Sequence, residues 1–123
     1  MMTTKPLAIV LLLTILSISC SHKINCEQIP NSFSTYDEAL LQIESAHFEI
    51  SESVNTSKSS WIKNASYYSC DGQTGYFVLG TSKKQYLFSN MPYMVWKQFE
   101  NAESFGKFYN EQIKNKYHFQ LTK

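Results

Sequence analysis

Tyr76 to Phe88 reads YFVLGTSKKQYLF. Two short runs rich in aromatic and aliphatic side chains flank a polar break at Ser82 to Lys84, the pattern of two strands joined by a reversal. In the first run Phe77 and Leu79 point to one face, and Tyr76 and Val78 to the other. The second run, Gln85 to Phe88, puts Tyr86 and Phe88 on a shared face. Upstream, Asp71-Gly72 with Gly75 gives a strong turn signal, because glycine tolerates the positive φ that tight reversals need. A third run, from Trp61-Ile62 through Tyr67-Tyr68, therefore pairs with the Tyr76 strand. Ahead of the polar break at Asn55 to Ser60, the parity of Phe48, Ile50 and Val54 suggests a short fourth strand, with Glu52 interrupting its apolar face.

The strands are flanked by helical patterns. Thr35-Tyr36-Asp37-Glu38 fits a capping box, with the threonine hydroxyl meeting the amide of Glu38 and the Glu38 side chain reaching back to the cap. Tyr36, Ala39, Leu40, Ile43 and Ala46 or His47 then form one apolar stripe, which predicts an amphipathic helix over Tyr36 to Ala46. Pro92 marks a second helix start, with Val95, Trp96 and Phe99 as its buried face. Ser104 caps a last helix carrying Phe105, Phe108, Tyr109, Gln112 and Ile113, with Tyr117 and Phe119 trailing. Gly106 in its first turn costs up to about 1 kcal/mol relative to alanine. Such a glycine marks close packing, expected against the sheet or the Trp96 helix. The fold class is α+β: an antiparallel meander of three to four strands, with one N-terminal helix and two C-terminal helices packed on it.

The first twenty residues have a different character. Lys5 precedes a twelve-residue apolar run, Leu7 to Ile18, whereas a membrane-spanning helix needs roughly 20. Its length suits the apolar region of an export signal, and Ser17-Ile18-Ser19 supplies small residues for cleavage. Ser17-Ile18-Ser19-Cys20 resembles a bacterial lipobox, in which the cysteine is lipidated and becomes the mature N-terminus; Ser17 stands where leucine is usual. The expected organisation is a signal peptide over 1–19, lipidation at Cys20, a flexible tether over 20–32, and a single domain over 33–123. The expected location is a bacterial cell envelope, facing the periplasm or exterior, with plain secretion as the alternative.

Composition bounds the rest. Eight Phe, eight Tyr and two Trp in 123 residues supply a core that a short chain otherwise lacks. Eleven basic residues against ten acidic give no global field toward nucleic acid or lipid. Residues 20–57 carry one lysine against six acids and residues 58–123 nine against four, so the second half is the more basic. Every cation is lysine, so the planar fork suited to phosphate or guanine is absent. With Cys20 lipidated, Cys26 and Cys70 remain as an even pair that an oxidising compartment would join. A free Cys70 thiol at a strand end is the alternative. No metal-ligand spacing occurs among His22, His47 and His118 or the cysteines, and no cofactor is expected.

The block from Ser59 to Tyr117 resembles the KTSC domain family. The resemblance rests on Ser59-Ser60-x-Ile62, Tyr67, Asp71-Gly72, Tyr86-Leu87-Phe88, Pro92, Trp96 and Phe105-Gly106-x-Phe108-Tyr109-Asn110-x-x-Ile113-Lys114-x-x-Tyr117. The family's Tyr-x-Tyr has Phe88 at its second position here. The domain is named for a C-terminal extension of some lysyl-tRNA synthetases and also stands alone in bacterial proteins. The resemblance implies the α+β fold and carries over no catalytic residue. It also implies a suggested role in RNA binding, which rests on association with synthetases rather than on a site.

Three function classes follow. The first is a non-catalytic, envelope-tethered interaction module, with an envelope protein or surface ligand as its partner and Tyr86, Phe88, Asn110 and Lys114 as its candidate surface. The second is an RNA-binding domain, which needs aromatics and cations interleaved on one exposed face, here Tyr86 and Phe88 with Lys83, Lys84, Lys97, Lys107 and Lys114. Alternating aromatics on a strand are more often core, and a residue such as Asn110 more often ties its helix to a loop backbone than contacts a ligand. The third, an enzyme, lacks a constellation: Asp71 and Glu100 have no carboxylate partner, and Ser59-Ser60 has no base. Trp61 is either an exposed anchor or part of the core.

Overall fold

Alternation of large side chains from Asn64 onward builds a meander. In the computed structural model, which describes residues 24–119 and 121, the strands are β1 (Ile50–Ser53), β2 (Asn64–Ser69), β3 (Thr74–Gly80) and β4 (Gln85–Pro92). They form one antiparallel sheet in chain order. Tyr67 of β2 sits opposite Phe77 of β3, which sits opposite Phe88 of β4, so these aromatics share one face. Local chemistry fixes the β2–β3 reversal. Asp71 Oδ1 accepts from the amides of Gln73 and Thr74 at 2.8 and 3.0 Å, and Gly72 takes φ of 78°. Those two amides hold the Asp71 carboxyl below the usual carboxylate range. Between β3 and β4, Thr81 Oγ1 accepts from the amides of Lys83 and Lys84. β4 runs beyond Phe88 because Ser89 and Asn90 form a bulge opposite Tyr76, with Asn90 at φ 60°.

Helices cover both faces. Helix α1 (Tyr36–Ser45) presents Ala39, Leu40 and Ile43 to one face, where they join Val78 and Leu87. Thr35 Oγ1 caps the Glu38 amide at 3.1 Å. The reciprocal half of the expected capping box is absent: Glu38 Oε1 instead accepts from Ser34 Oγ at 3.1 Å. Helix α2 (Tyr93–Glu100), with Pro92 at its cap, and α3 (Phe105–Phe108) lie on the other face. There Tyr67, Trp96, Phe99 and Phe105 stack in sequence at 5.7, 5.9 and 5.0 Å between ring centroids. Burial of side chains this size contributes on the order of 1.5–3 kcal/mol each.

Two expectations need correction. Phe48 does not share a face with Ile50 and Val54. A bend at Glu49 breaks the parity, so Phe48 packs on Tyr68 and Tyr76 in the α1 layer, while Ile50 and Val54 pack in the α2 layer. The described part of the expected tether, 24–32, is docked rather than free. Cys26–Gln28 forms a short 3-10 turn, the Cys26 amide donates to His47 O at 3.0 Å, and Ile29 is buried. Cys26 and Cys70 form a disulfide with Cα atoms 5.8 Å apart. Phe119 returns the C-terminal segment to the same layer, stacking on Phe33 at 5.9 Å. The signal at 1–19 and Cys20 lie outside the described residues. Among the described residues, no helix is long and apolar enough to cross a membrane.

Candidate functional site

The last helix changes pitch where its polar residues gather. After α3, residues Tyr109–Ile113 form a π turn, closed by the Lys114 amide donating to Tyr109 O at 2.9 Å. Such wider turns let neighbouring side chains share a face that an α-helix would separate, and they are frequent at functional sites. Tyr109 and Ile113 turn inward and Asn110 outward. Ser104 Oγ starts the helix by accepting from the Lys107 amide at 3.1 Å.

The loop ahead of β2 faces this helix. Ser59 Oγ accepts from the Ile62 amide at 3.1 Å and from the Trp61 amide at 3.4 Å, which fixes the loop and aims the Trp61 indole at the helix. The indole meets Gly106: a Cβ at that position would lie 2.6 Å from Trp61 Nε1. Tyr109 holds the indole edge-on at 5.8 Å. Gly106 therefore packs closely, as its sequence suggests, but its partner is Trp61 rather than the sheet or the Trp96 helix. Trp61 stays 39% exposed. Between loop and helix lies a cleft of about 610 Å³ bordered by Ser60, Trp61, Glu103, Gly106, Lys107 and Asn110.

The four candidate surface residues do not form one patch. Asn110 borders the cleft, exposed, and its side chain makes no hydrogen bond to the described residues. Tyr86 is 37% exposed and carries Lys84 Nζ 4.8 Å over its ring, outside the cleft. Burial raises the Tyr109 hydroxyl pKa, and Tyr86 nearby raises it further. Phe88 is core: 7% exposed, it packs on Phe77 at 5.9 Å and on Tyr109 at 5.8 Å, out of reach of a ligand. Lys114 is exposed and does not border the cleft. The residue that the four-residue reading left out is Trp61, whose signal was a large indole beside a polar Ser59-Ser60 pair.

A larger groove, about 1020 Å³, opens on the other layer between the Cys26–Cys70 disulfide and the C-terminal segment. Its floor of Phe48, Tyr68 and Tyr76 is occupied with its own ring contacts at 5.4 and 6.2 Å. Burial there raises the pKa of both tyrosines. The Trp61 cleft is smaller, but its aromatic wall is 39% exposed, whereas Phe48 is buried and Tyr68 and Tyr76 are only partly exposed, so it is the better candidate. Among the described residues, no group of three His, Cys, Asp or Glu side chains is placed to hold a metal ion.

The fold and cleft define a small α+β domain with an aromatic recess between a loop and its last helix. The KTSC domain family model matches residues 58–117, from that loop to the end of that helix, and supports this family for the segment. No curated protein and no solved structure gives a match.

Proposed function

We propose that this protein is a non-catalytic binding module, exported and held at a cell envelope, with its ligand in the Trp61–Asn110 cleft. The observation that carries this reading is the seat of Trp61. A glycine inside a helix weakens it by up to about 1 kcal/mol, and here the glycine lets an indole pack tightly while remaining 39% exposed. An indole that served only the core would be buried further. Locking one at the surface supplies a large, rigid contact that loses little freedom on binding. The Ser59 hydroxyl is engaged as an acceptor for the loop amides.

Export draws support from the short apolar run before Cys20 and from the Cys26–Cys70 disulfide, since such bonds persist in oxidising compartments. Lipidation at Cys20 would anchor the domain to a membrane. The synthetase association of the family name points instead to RNA, which needs uncompensated cations beside its stacking platform. The cleft is lined by two lysines, Lys58 and Lys107, and two carboxylates, Glu103 and Glu111, so its lining carries no excess of positive charge.

A photo-crosslinking amino acid in place of Ser60 in the exported protein tests the module. An envelope adduct that disappears in Trp61→Ala is expected. No adduct, or one indifferent to Trp61, would overturn the reading.

A further inference from the structure

We infer that the Trp61 cleft takes a neutral, polyhydroxylated ligand, a short stretch of glycan, an assignment that rests on the binding-module reading above. The argument is an inventory of what the cleft has left to offer. Lys58 is spent: its Nζ donates to Ala102 O at 2.7 Å and lies 4.4 Å over the Phe105 ring. The side chains of Ser60, Glu103, Lys107, Asn110 and Glu111 border the cleft and make no hydrogen bond or ion pair with the described residues. They comprise one hydroxyl, one amide, one ammonium and two carboxylates around one exposed indole.

That set disfavours a polyanion. Binding of a phosphate backbone is driven by cations that displace its counterions, and here the single free lysine faces two carboxylates. It also disfavours an extended peptide, which adds to an open sheet edge or lays alternate side chains into pockets. The cleft is bordered by a loop and a helix, not by a strand edge. A sugar ring fits both halves of the inventory. Its C–H face covers an indole, and its hydroxyls, each donor and acceptor, meet carboxylates, an amide and an ammonium without requiring net charge. The Gly106 seat and the Tyr109 edge contact hold the indole in place beforehand, so little ordering is needed on binding.

The test is 15N NMR of the exported, oxidised protein with five probes: chitotriose, cellotriose, maltotriose, oligouridine and an oligolysine peptide. With at least one neutral trisaccharide, the Trp61 indole N–H and the Asn110 side-chain amide are expected to shift while the buried Trp96 indole stays still. The affinity should hold within about twofold between about 0.05 and 0.5 M salt, whereas phosphate-driven binding would fall steeply. Trp61→Ala should abolish the response. Asn110→Ala, an exposed change that leaves the fold alone, should weaken it about tenfold, the value of roughly one good hydrogen bond. Silence with all three trisaccharides overturns the glycan assignment. A Trp61 shift with oligouridine or oligolysine alone also overturns it but leaves the binding module standing. Silence with all five probes, together with no Ser60 crosslink, overturns both.

Discussion

Gly106 and Trp61 stand far apart in sequence and meet at 2.6 Å from the position a Cβ would take. The clashing atom belongs to a side chain that is partly exposed, so the indole can swing outward rather than the helix moving. Gly106→Ala is therefore expected to cost less than the roughly 1–3 kcal/mol of overpacking in a closed core. It should still displace Trp61, which acrylamide quenching will register as a more accessible indole. Tyr67 is the opposite case. It is fully buried, and its hydroxyl donates to Met91 O at 2.7 Å, so Tyr67→Phe leaves a buried carbonyl without its partner and should cost about 1–3 kcal/mol in urea unfolding. Burial pushes the Tyr67 pKa up to about 12. The unfolded tyrosine ionises near 10, so the native advantage is complete below that pH and lost as pH rises toward 12. The parent-minus-Tyr67→Phe stability difference should shrink through that window.

Among the elements, β1 is tied to α2 by a single side chain. Glu52 accepts from Trp96 Nε1 at 2.8 Å and from the Tyr93 hydroxyl at 3.1 Å. In the sequence it reads as a break in an apolar face; in the fold it is the acceptor that a buried indole requires. Glu52→Ala should destabilise by about 1–3 kcal/mol because the Trp96 N–H loses its partner. Glu52→Gln retains an acceptor and should lie between the two in denaturant midpoint. The strands and helix starts were legible in the sequence because their causes are local: the parity of Phe77 and Leu79, Asp71-Gly72, Pro92, Ser104. The face of Phe48, the partner of Glu52 and the seat of Trp61 were not, since each depends on a residue distant in the chain. The π turn leaves no mark in the spacing, because Tyr109 and Ile113 fit an α-helical period equally well. For the cleft, Asn110 was legible as a distinctive polar residue. Phe88, a candidate for that surface, lies in the core instead, because period two gives parity and not depth.

At the scale of the molecule, the N-terminal segment completes a layer. Ile29 and Phe33 are buried beside α1, and the Cys26–Cys70 disulfide joins this segment to the end of β2. Replacing both cysteines by serine should lower stability by about 2–5 kcal/mol, as for other small stapled domains. Limited proteolysis should then cut within residues 24–33 at denaturant concentrations that leave the parent uncut.

The same bond decides how the domain carries load. A pull on the chain ahead of Cys26 passes directly to Cys70, so α1, β1 and the loop bearing Trp61 lie within a closed ring and feel no tension from that side. With the two cysteines 44 positions apart in the chain, about 150 Å of contour is withheld from extension. A domain hung by its N-terminal side would thus keep its Trp61 loop out of the line of force.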